Sequence, residues 1–220
     1  MDIAKYIDHT LLAAVATPAD IKKLCAEAKE HGFFSVCVNS GYVSLAKSEL
    51  KGTDVKVCSV VGFPLGQMAK EAKVAETEIA IAHGADEIDM VINVGALKSG
   101  DEALVYEEIK ALKEVVGPDR VLKVIIETCY LTDEEKVKAC ELSVKANADF
   151  VKTSTGFGTG GATFEDAKLM FDTVDGKALV KASGGVRDFE TADKYIKIGV
   201  KRLGTSNGIA IVNGGTGEGY

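Results

Sequence analysis

Three ionisable residues stand in apolar runs where charge is unexpected. Lys152 lies in Phe-Val-Lys-Thr-Ser, Lys181 in Leu-Val-Lys-Ala-Ser, and Asp89 in Glu-Ile-Asp-Met-Val-Ile. Each run is typical of a strand in a parallel sheet that is covered on both faces, and such strands are nearly continuous in hydrophobic residues. Because a buried unpaired charge is costly, each of the three residues needs either a partner or a chemical role.

Schiff-base formation is the chemistry that this set could perform. Lys152 and Lys181 hold corresponding positions on successive predicted strands, so their side chains could converge. Lysine ordinarily titrates at about 10.4, and burial beside a second cation would lower that pKa and supply the neutral amine that attacks a carbonyl carbon. Asp89 would relay the protons that carbon–carbon cleavage or condensation requires. We expect all three to be catalytic, and on these grounds either lysine could be the nucleophile.

Internal salt bridges are the competing interpretation of the strand charges. Lys123 and Glu127 share one predicted strand and could pair with each other, while Asp89 could pair with a lysine. Asp8 interrupts the first predicted strand in the same way. Pairs of this kind would compensate the buried charges without any part in catalysis.

Glycine clusters follow the last strands and predict an anion site. Gly184 and Gly185 come soon after the second strand lysine, Gly204 and Ser206 fall at the final strand, and Gly156 follows the strand of the first lysine. Glycines allow backbone amides to approach an anion, and a helix N-terminus favours negative charge. We therefore expect these five residues to bind a phosphate group, although they could also serve only as tight turns between strands and helices.

The elements that would position these residues alternate between strand and helix along the whole chain. Helix starts follow Thr17, Thr132 and Thr163, each with an acidic residue three positions later. The count of about eight strand–helix pairs predicts an α/β fold, a (β/α)8 TIM barrel, in a single domain over residues 1–220. The rival, an open doubly wound sheet, usually has fewer strands and a glycine-rich first turn. The predicted strands are 7–12, 34–38, 55–61, 87–92, 121–127, 150–154, 178–182 and 202–205.

Composition and charge exclude several classes of partner. Acidic residues outnumber basic ones, 33 to 26, which gives a net charge of −7 and argues against nucleic acid. The first 15 residues carry three charges and no signal-peptide core, and no apolar run reaches the ~20 residues that span a membrane. We expect a cytoplasmic protein without a membrane partner.

Metal and redox sites are not indicated by the spacing of histidines and cysteines. The chain has three histidines, of which His31 and His83 precede glycines in a helix-ending arrangement, and His9 alone cannot build a metal site. The five cysteines show no CxxC spacing, so reduced structural thiols are expected. We predict neither a metal nor another cofactor.

A glycine-rich tail over residues 213–220 ends in Tyr220. Such a terminus usually frays. The alternative is that the tail folds over the barrel mouth and brings the tyrosine hydroxyl to the site as a possible proton relay.

Several segments together resemble the deoxyribose-phosphate aldolase family, over essentially the whole chain. Val-Lys-Thr-Ser-Thr-Gly-Phe-Gly-Thr-Gly-Gly-Ala-Thr is similar to the Schiff-base segment of that family, and Glu-Ile-Asp-Met-Val-Ile-Asn and Lys-Ala-Ser-Gly-Gly-Val-Arg are similar to its other two signatures. Lys-Val-Ile-Ile-Glu-Thr and the terminal Gly-Tyr also match. The resemblance implies a class I barrel aldolase that reversibly splits 2-deoxy-D-ribose 5-phosphate into acetaldehyde and D-glyceraldehyde 3-phosphate.

The resemblance also implies roles for single residues. Lys152 would form the imine, with Asp89 and Lys181 as proton donors and acceptors and Tyr220 associated with proton transfer. Some relatives have lysine where Phe157 stands here, which removes one side-chain phosphate contact. The implied phosphate-site residues are Gly156, Gly184, Gly185, Gly204 and Ser206.

Other functions remain as alternatives. A different class I aldolase or a transaldolase would use the same lysines on another sugar phosphate. A sugar-phosphate sensor would keep the glycine clusters but would not need two strand lysines with a carboxylate. A barrel with apolar outer helices could also associate with itself, so a homo-oligomer, a dimer or a tetramer, is expected.

Overall fold

Eight parallel strands close into a barrel in the computed structural model, which describes residues 2–218. Every strand pairs with its neighbours in chain order, and β1 closes the barrel against β8. The predicted (β/α)8 barrel is confirmed, and each predicted strand is present to within a few residues. The strands are β1 Ile7–Thr10, β2 Ser35–Val38, β3 Lys56–Val61, β4 Glu87–Val91, β5 Val121–Ile125, β6 Phe150–Lys152, β7 Leu179–Ser183 and β8 Arg202–Thr205.

Nine α-helices lie in the described residues and cover the barrel from outside. Side-chain caps fix where several of them begin. Thr17 and Thr132 each form a reciprocal capping box with the acidic residue three positions on, and the Thr163 side chain accepts from the Asp166 amide. The helices are α1 Pro18–His31, α2 Val43–Glu49, α3 Lys70–Ala82, α4 Val94–Lys98, α5 Glu102–Val116, α6 Asp133–Lys145, α7 Phe164–Val174, α8 Phe189–Ile198 and α9 Gly208–Val212.

Two different environments lie on the two faces of the strands. Along β7, Val180 and Ala182 pack in the large apolar cluster between strands and helices, while Lys181 and Ser183 alternate with them. Alternate strand residues point to opposite faces, so the second pair faces the barrel interior. The apolar layer supplies the hydrophobic stabilisation, and the interior is left for charged groups.

Two differences from the predicted elements bear on the site. The strand predicted over 121–127 ends at Ile125, and Glu127 follows with a left-handed backbone (φ 56°) that no strand residue adopts. At the other end of the chain, Thr216 bridges to Asp188, and the Gly217 amide donates to the Arg187 carbonyl. Tyr220 lies outside the described residues, so its role and the extent of the tail stay predictions.

Within residues 2–218, no helix is long and apolar enough to cross a membrane.

Candidate active site

Strand register brings the predicted catalytic residues together inside the barrel. Lys152 on β6 is the register partner of Lys181 on β7, so the two side chains lie next to each other. Asp89 reaches them from β4, and its Oδ2 atom accepts from Lys152 Nζ at 2.9 Å and from Lys181 Nζ at 2.8 Å. All three are buried, Lys152 at 3% exposure and the other two at 0%. The structure thus joins both strand lysines through one carboxylate oxygen.

A deeper set of ion pairs supports this carboxylate from below. Lys123 donates to Asp89 Oδ1 at 2.8 Å and to Glu87 at 2.6 Å, while Arg202 pairs with both Glu87 and Asp8. The expected pairing of Asp89 with a lysine is confirmed. The expected pair between Lys123 and Glu127 is wrong. Glu127 lies beyond the end of β5, and Lys123 instead pairs with Glu87 and Asp89 on β4.

These contacts set the protonation of the cluster. Burial alone would raise the pKa of Asp89, but Lys123, Lys152 and Lys181 outweigh it and hold this pKa well below its usual value. Burial lowers the pKa of Lys181, yet the attraction of Asp8 and Asp89 exceeds that effect and raises it above the ordinary lysine value. The prediction that the two lysines lower each other's pKa is therefore wrong for Lys181, because carboxylates separate the cations.

The number of ion pairs distinguishes Lys152 from the other cations of the cluster. Within residues 2–218, the ion-paired cluster inside the barrel joins four cationic side chains to three carboxylates. Lys123, Lys181 and Arg202 each contact two of these carboxylates, whereas Lys152 contacts Asp89 alone. Lys152 is therefore the cation of the cluster that is held by the fewest ion pairs.

The glycine residues gather at a narrow cavity that opens over Lys152. This cavity is lined by Lys152 together with Gly156, Gly184, Gly204 and Ser206, so four of the five predicted phosphate residues meet there. Gly156 (φ 86°) and Gly184 (φ 85°) have left-handed backbones, which suit loops whose amides surround an anion. Gly185 is exposed and does not line the cavity, so the structure does not group it with the other four.

A larger cavity of about 410 Å³ lies beside the first one, and Thr155 lines both. Its wall is mostly apolar and includes Leu65, Tyr130 and Phe157, with the Glu127 carboxyl on one side. The Phe157 ring packs edge-on against Phe63 at 5.3 Å between centroids. The Phe157 side chain therefore lines the larger cavity and not the glycine-lined one.

Comparisons with known proteins identify the family of the chain. The model of the DeoC/LacD family aldolases matches residues 3–212. The chain belongs to this aldolase family. The deoxyribose-phosphate aldolase of Brevibacillus brevis is 60% identical over 222 residues and is covered in full, as is this chain. The structure called QR15, an aldolase, superposes with a TM-score of 0.93 at 44% identity, covering 97% of this chain and 95% of its own. The tetrameric deoxyribose phosphate aldolase from Aeropyrum pernix gives 0.88 at 32% identity, covering 96% and 89%.

Two residues of this aldolase were not singled out for the site from sequence. Ser183 lines the glycine cavity one layer above Lys181, and its neighbours in sequence look like an ordinary turn. Glu127 was seen only as a strand charge, but its carboxylate instead binds the Thr155 amide (3.1 Å) and the Thr155 hydroxyl. No sequence signal identifies either residue. Ser183 is distinguished by a hydroxyl without a hydrogen-bond partner among residues 2–218, and Glu127 by its backbone conformation.

The ion pairs of Asp89 also bear on whether this aldolase could hold a metal ion. Cys37, Cys58 and Asp89 offer ligand atoms within 4.8 Å of one another. Burial raises the pKa of Cys58 well above its usual value, and its thiol donates to Asp89 Oδ1 at 3.1 Å. Because three lysines already share the Asp89 oxygens, a metal ion here would have to displace ammonium groups. His9 is engaged elsewhere, with its Nε2 at 2.8 Å from Glu27.

Proposed function

We propose that the protein reversibly cleaves 2-deoxy-D-ribose 5-phosphate to acetaldehyde and D-glyceraldehyde 3-phosphate through a Schiff base on Lys152. The observation that carries the proposal is the Asp89 carboxylate shared by Lys152 and Lys181 beneath a glycine-lined cavity. The relatives named deoxyribose-phosphate aldolase share the full length of the chain and support the choice of substrate.

Lys152 is the better nucleophile of the two lysines for a geometric reason. It lines the cavity and keeps 3% of its surface exposed, so a carbonyl group can reach its Nζ. Lys181 is fully buried and held by Asp8 at 2.5 Å as well as by Asp89. We assign Lys181 and Asp89 to proton transfer rather than to bond formation with the substrate.

The proposed reaction forms an imine on Lys152, breaks one carbon–carbon bond and hydrolyses the imine. The neutral Lys152 amine adds to the aldehyde carbon of the sugar to give a carbinolamine. A proton delivered to the carbinolamine hydroxyl lets it leave as water, which gives the protonated imine. Removal of the proton from the 3-hydroxyl lets the bond between carbons 2 and 3 break, and its electron pair moves to the imine as an enamine. D-glyceraldehyde 3-phosphate leaves. Protonation of the enamine carbon and hydrolysis of the imine release acetaldehyde, with Asp89 and Lys181 carrying the protons.

Phosphate binding by the glycine cavity is the second part of the proposal. Gly156, Gly184, Gly204 and Ser206 would hold the phosphate group, with Gly185 next to them in sequence but outside the lining. Binding energy at this end fixes the reacting carbon near Lys152. Neither a metal nor another cofactor enters any step, so EDTA should leave turnover unchanged. Strong EDTA inhibition that zinc reverses would contradict the mechanism.

Borohydride trapping tests the nucleophile directly. Reduction of the protein with borohydride in the presence of acetaldehyde should fix a two-carbon adduct on Lys152, located by peptide mapping. The Lys152→Ala variant should keep its fold by circular dichroism, lose the adduct and lose turnover. An adduct on another residue, or one-tenth of wild-type activity in the variant, would remove Lys152 from the nucleophile's role.

Self-association and cellular location are the last parts of the proposal. The relative from Aeropyrum pernix is described as a tetramer, and we propose that this chain also forms a homo-oligomer, a dimer or a tetramer. Light scattering should then give a mass that is two or four times 23.2 kDa. All five cysteines are free thiols, which suits the reducing cytoplasm, the compartment that we propose. Cell fractionation tests that location.

A further inference from the structure

Ser183 carries a buried hydroxyl whose hydrogen-bonding capacity is unused. It is the last residue of β7, with 5% of its surface exposed. Its Oγ atom has no hydrogen-bond partner among residues 2–218. A buried polar group without a partner costs free energy, so such a group in a native structure calls for an explanation.

The backbone of Ser183 is fixed from two sides, which aims the hydroxyl. Its amide donates to Thr153 Oγ1 at 3.1 Å, and its carbonyl accepts from Thr153 Oγ1 at 3.2 Å and from the Ala162 amide at 3.1 Å. The side chain then extends over Gly204, where an added Cβ would lie 2.3 Å from Ser183 Oγ. Local packing therefore holds the hydroxyl in place without occupying it.

The position of this hydroxyl lies between the two ends of the proposed site. Ser183 lines the glycine cavity together with Lys152 and its own neighbour Gly184. Two residues earlier on the same face stands Lys181, which is ion-paired with Asp89. Ser183 therefore lines the same cavity as the nucleophile and the glycines that would bind the phosphate.

We propose that Ser183 Oγ hydrogen-bonds the substrate hydroxyl that lies between the reacting carbon and the phosphate ester. In the sugar this is the 4-hydroxyl, which becomes the 2-hydroxyl of D-glyceraldehyde 3-phosphate. The 3-hydroxyl is less suitable, because it must give up its proton near the imine. The inference rests on the proposed function and makes Ser183 a specificity-determining residue for hydroxylated acceptor aldehydes.

The test compares two acceptors in the condensation direction with the Ser183→Ala variant. One acceptor is D-glyceraldehyde 3-phosphate, and the other is 3-oxopropyl phosphate, which lacks only the 2-hydroxyl. Loss of one neutral hydrogen bond should raise KM for the first acceptor about 3- to 10-fold. KM for the second should change by less than about twofold, since that acceptor has no hydroxyl to bind. Equal changes with both acceptors, or none with either, would overturn the assignment.

Stability separates substrate binding from a structural role. In the free enzyme Ser183→Ala removes no protein hydrogen bond, so its urea midpoint should equal or exceed that of the wild type. A lower midpoint would show that the hydroxyl is structural and would count against the proposal. Ser143→Ala is the matched control, because Ser143 is buried in α6 and donates to the Ala139 carbonyl at 2.7 Å. This control should lose stability while both KM values stay unchanged.

The wild-type measurement distinguishes failure of the proposed function from failure of the role proposed for Ser183. If the wild-type enzyme fails to condense acetaldehyde with D-glyceraldehyde 3-phosphate, both proposals fail together. If the wild type turns over and Ser183→Ala treats both acceptors alike, only the role of Ser183 is lost.

Discussion

Asp89 combines a structural and a chemical duty, and the two can be separated by mutation. Its Oδ1 atom accepts from Lys123 and its Oδ2 atom from Lys152 and Lys181. The Asp89→Asn variant should lose at least about 100-fold in turnover, because an amide cannot take up and return protons. Its free energy of unfolding should fall by about 3–5 kcal/mol, since buried cations are left without their partner. Steady-state kinetics and urea unfolding measure the two effects.

Glu87 provides the matched control on the same strand. It is buried and pairs with Lys123 and Arg202, but it is the first residue of β4, two positions before Asp89, and it contacts neither Lys152 nor Lys181 in an ion pair. Glu87→Gln should cost a similar amount of stability and keep turnover within a few-fold of the wild type. If both variants lose activity equally at a temperature where both are folded, Asp89 has no special chemical role.

The sequence could identify charged residues in apolar strands, but not functional residues whose type is common at their position. Lys152, Lys181 and Asp89 were recognisable because charge stands where a buried strand should be apolar. Ser183 could not be recognised, since serine before two glycines is typical of a turn and its unpaired hydroxyl is a property of the folded chain. Which carboxylate each lysine contacts was equally hidden, because those pairs cross the barrel.

Among the elements, the loop after β6 depends on one carboxylate from the segment that follows β5. Glu127 has a left-handed backbone, and its carboxylate binds the Thr155 amide and hydroxyl, while the Phe157 amide donates to Thr155 Oγ1 at 3.0 Å. Burial raises the pKa of the Glu127 carboxyl above its usual value, although the hydrogen bonds from Thr155 act in the opposite direction. Backbone strain of this kind persists where the surroundings enforce it, often beside functional sites.

Glu127→Gln should loosen this loop and weaken phosphate binding. The amide can accept from the Thr155 backbone, but its NH2 group cannot accept from the hydroxyl, so Gly156 between Thr155 and Phe157 loses its support. KM for the phosphorylated sugar should rise about 3- to 10-fold, the equivalent of one hydrogen bond. Acetaldehyde trapping on the nucleophilic lysine should persist. Loss of trapping would instead show that Glu127 acts at the reacting carbon.

A remote buried carboxylate serves as the control for that experiment. Glu108 in α5 pairs with Lys73 at 2.7 Å, and neither residue lines either cavity. Glu108→Gln should lower the free energy of unfolding while KM stays at the wild-type value. A raised KM in this variant would mean that general destabilisation, rather than the loop, governs phosphate affinity.

The loop after β3 packs against the end of β4 through a glycine that nothing larger can replace. Gly66 has φ 68°, and an added Cβ would lie 1.9 Å from the Ile92 carbonyl oxygen. Gly66→Ala should therefore cost at least about 2 kcal/mol more than backbone strain alone, because the loop has to move. Gly52 isolates the strain contribution, since it has φ 80° and open space around it. Gly52→Ala should cost only about 1–2 kcal/mol. Urea unfolding of both variants decides, and equal losses would show that contact at Gly66 is unimportant.

For the whole molecule, the fold was more predictable than the interior of its barrel. Strand count and order followed from the alternation of apolar runs with capped helices, such as the capping boxes of Thr17 and Thr132. Those are local signals, and the barrel is the arrangement that satisfies eight of them. The protonation of the interior is not local, because it depends on three carboxylates from β1 and β4 among four cations. Hence the sequence predicted the position of Lys181 correctly and the direction of its pKa shift wrongly.

That interior charge cluster should govern the acid stability of the whole barrel. Burial alone would raise the pKa of Asp8, but Arg202 and Lys181 outweigh it and hold this pKa far below its ordinary value of 3.8. A carboxyl group whose pKa is lowered by folding stabilises the folded protein at pH values above the unfolded-state pKa. As the pH falls below the unfolded-state pKa, the unfolded chain binds a proton and the folded protein does not, so this stabilisation is lost. Asp8→Asn removes the contribution at every pH. The difference in free energy of unfolding between wild type and variant should thus be constant from pH 7 to about 5 and shrink by about 1 kcal/mol between pH 4 and 3. Urea titrations at each pH measure it, and a difference that stays constant down to pH 3 would mean that Asp8 titrates normally in the folded protein.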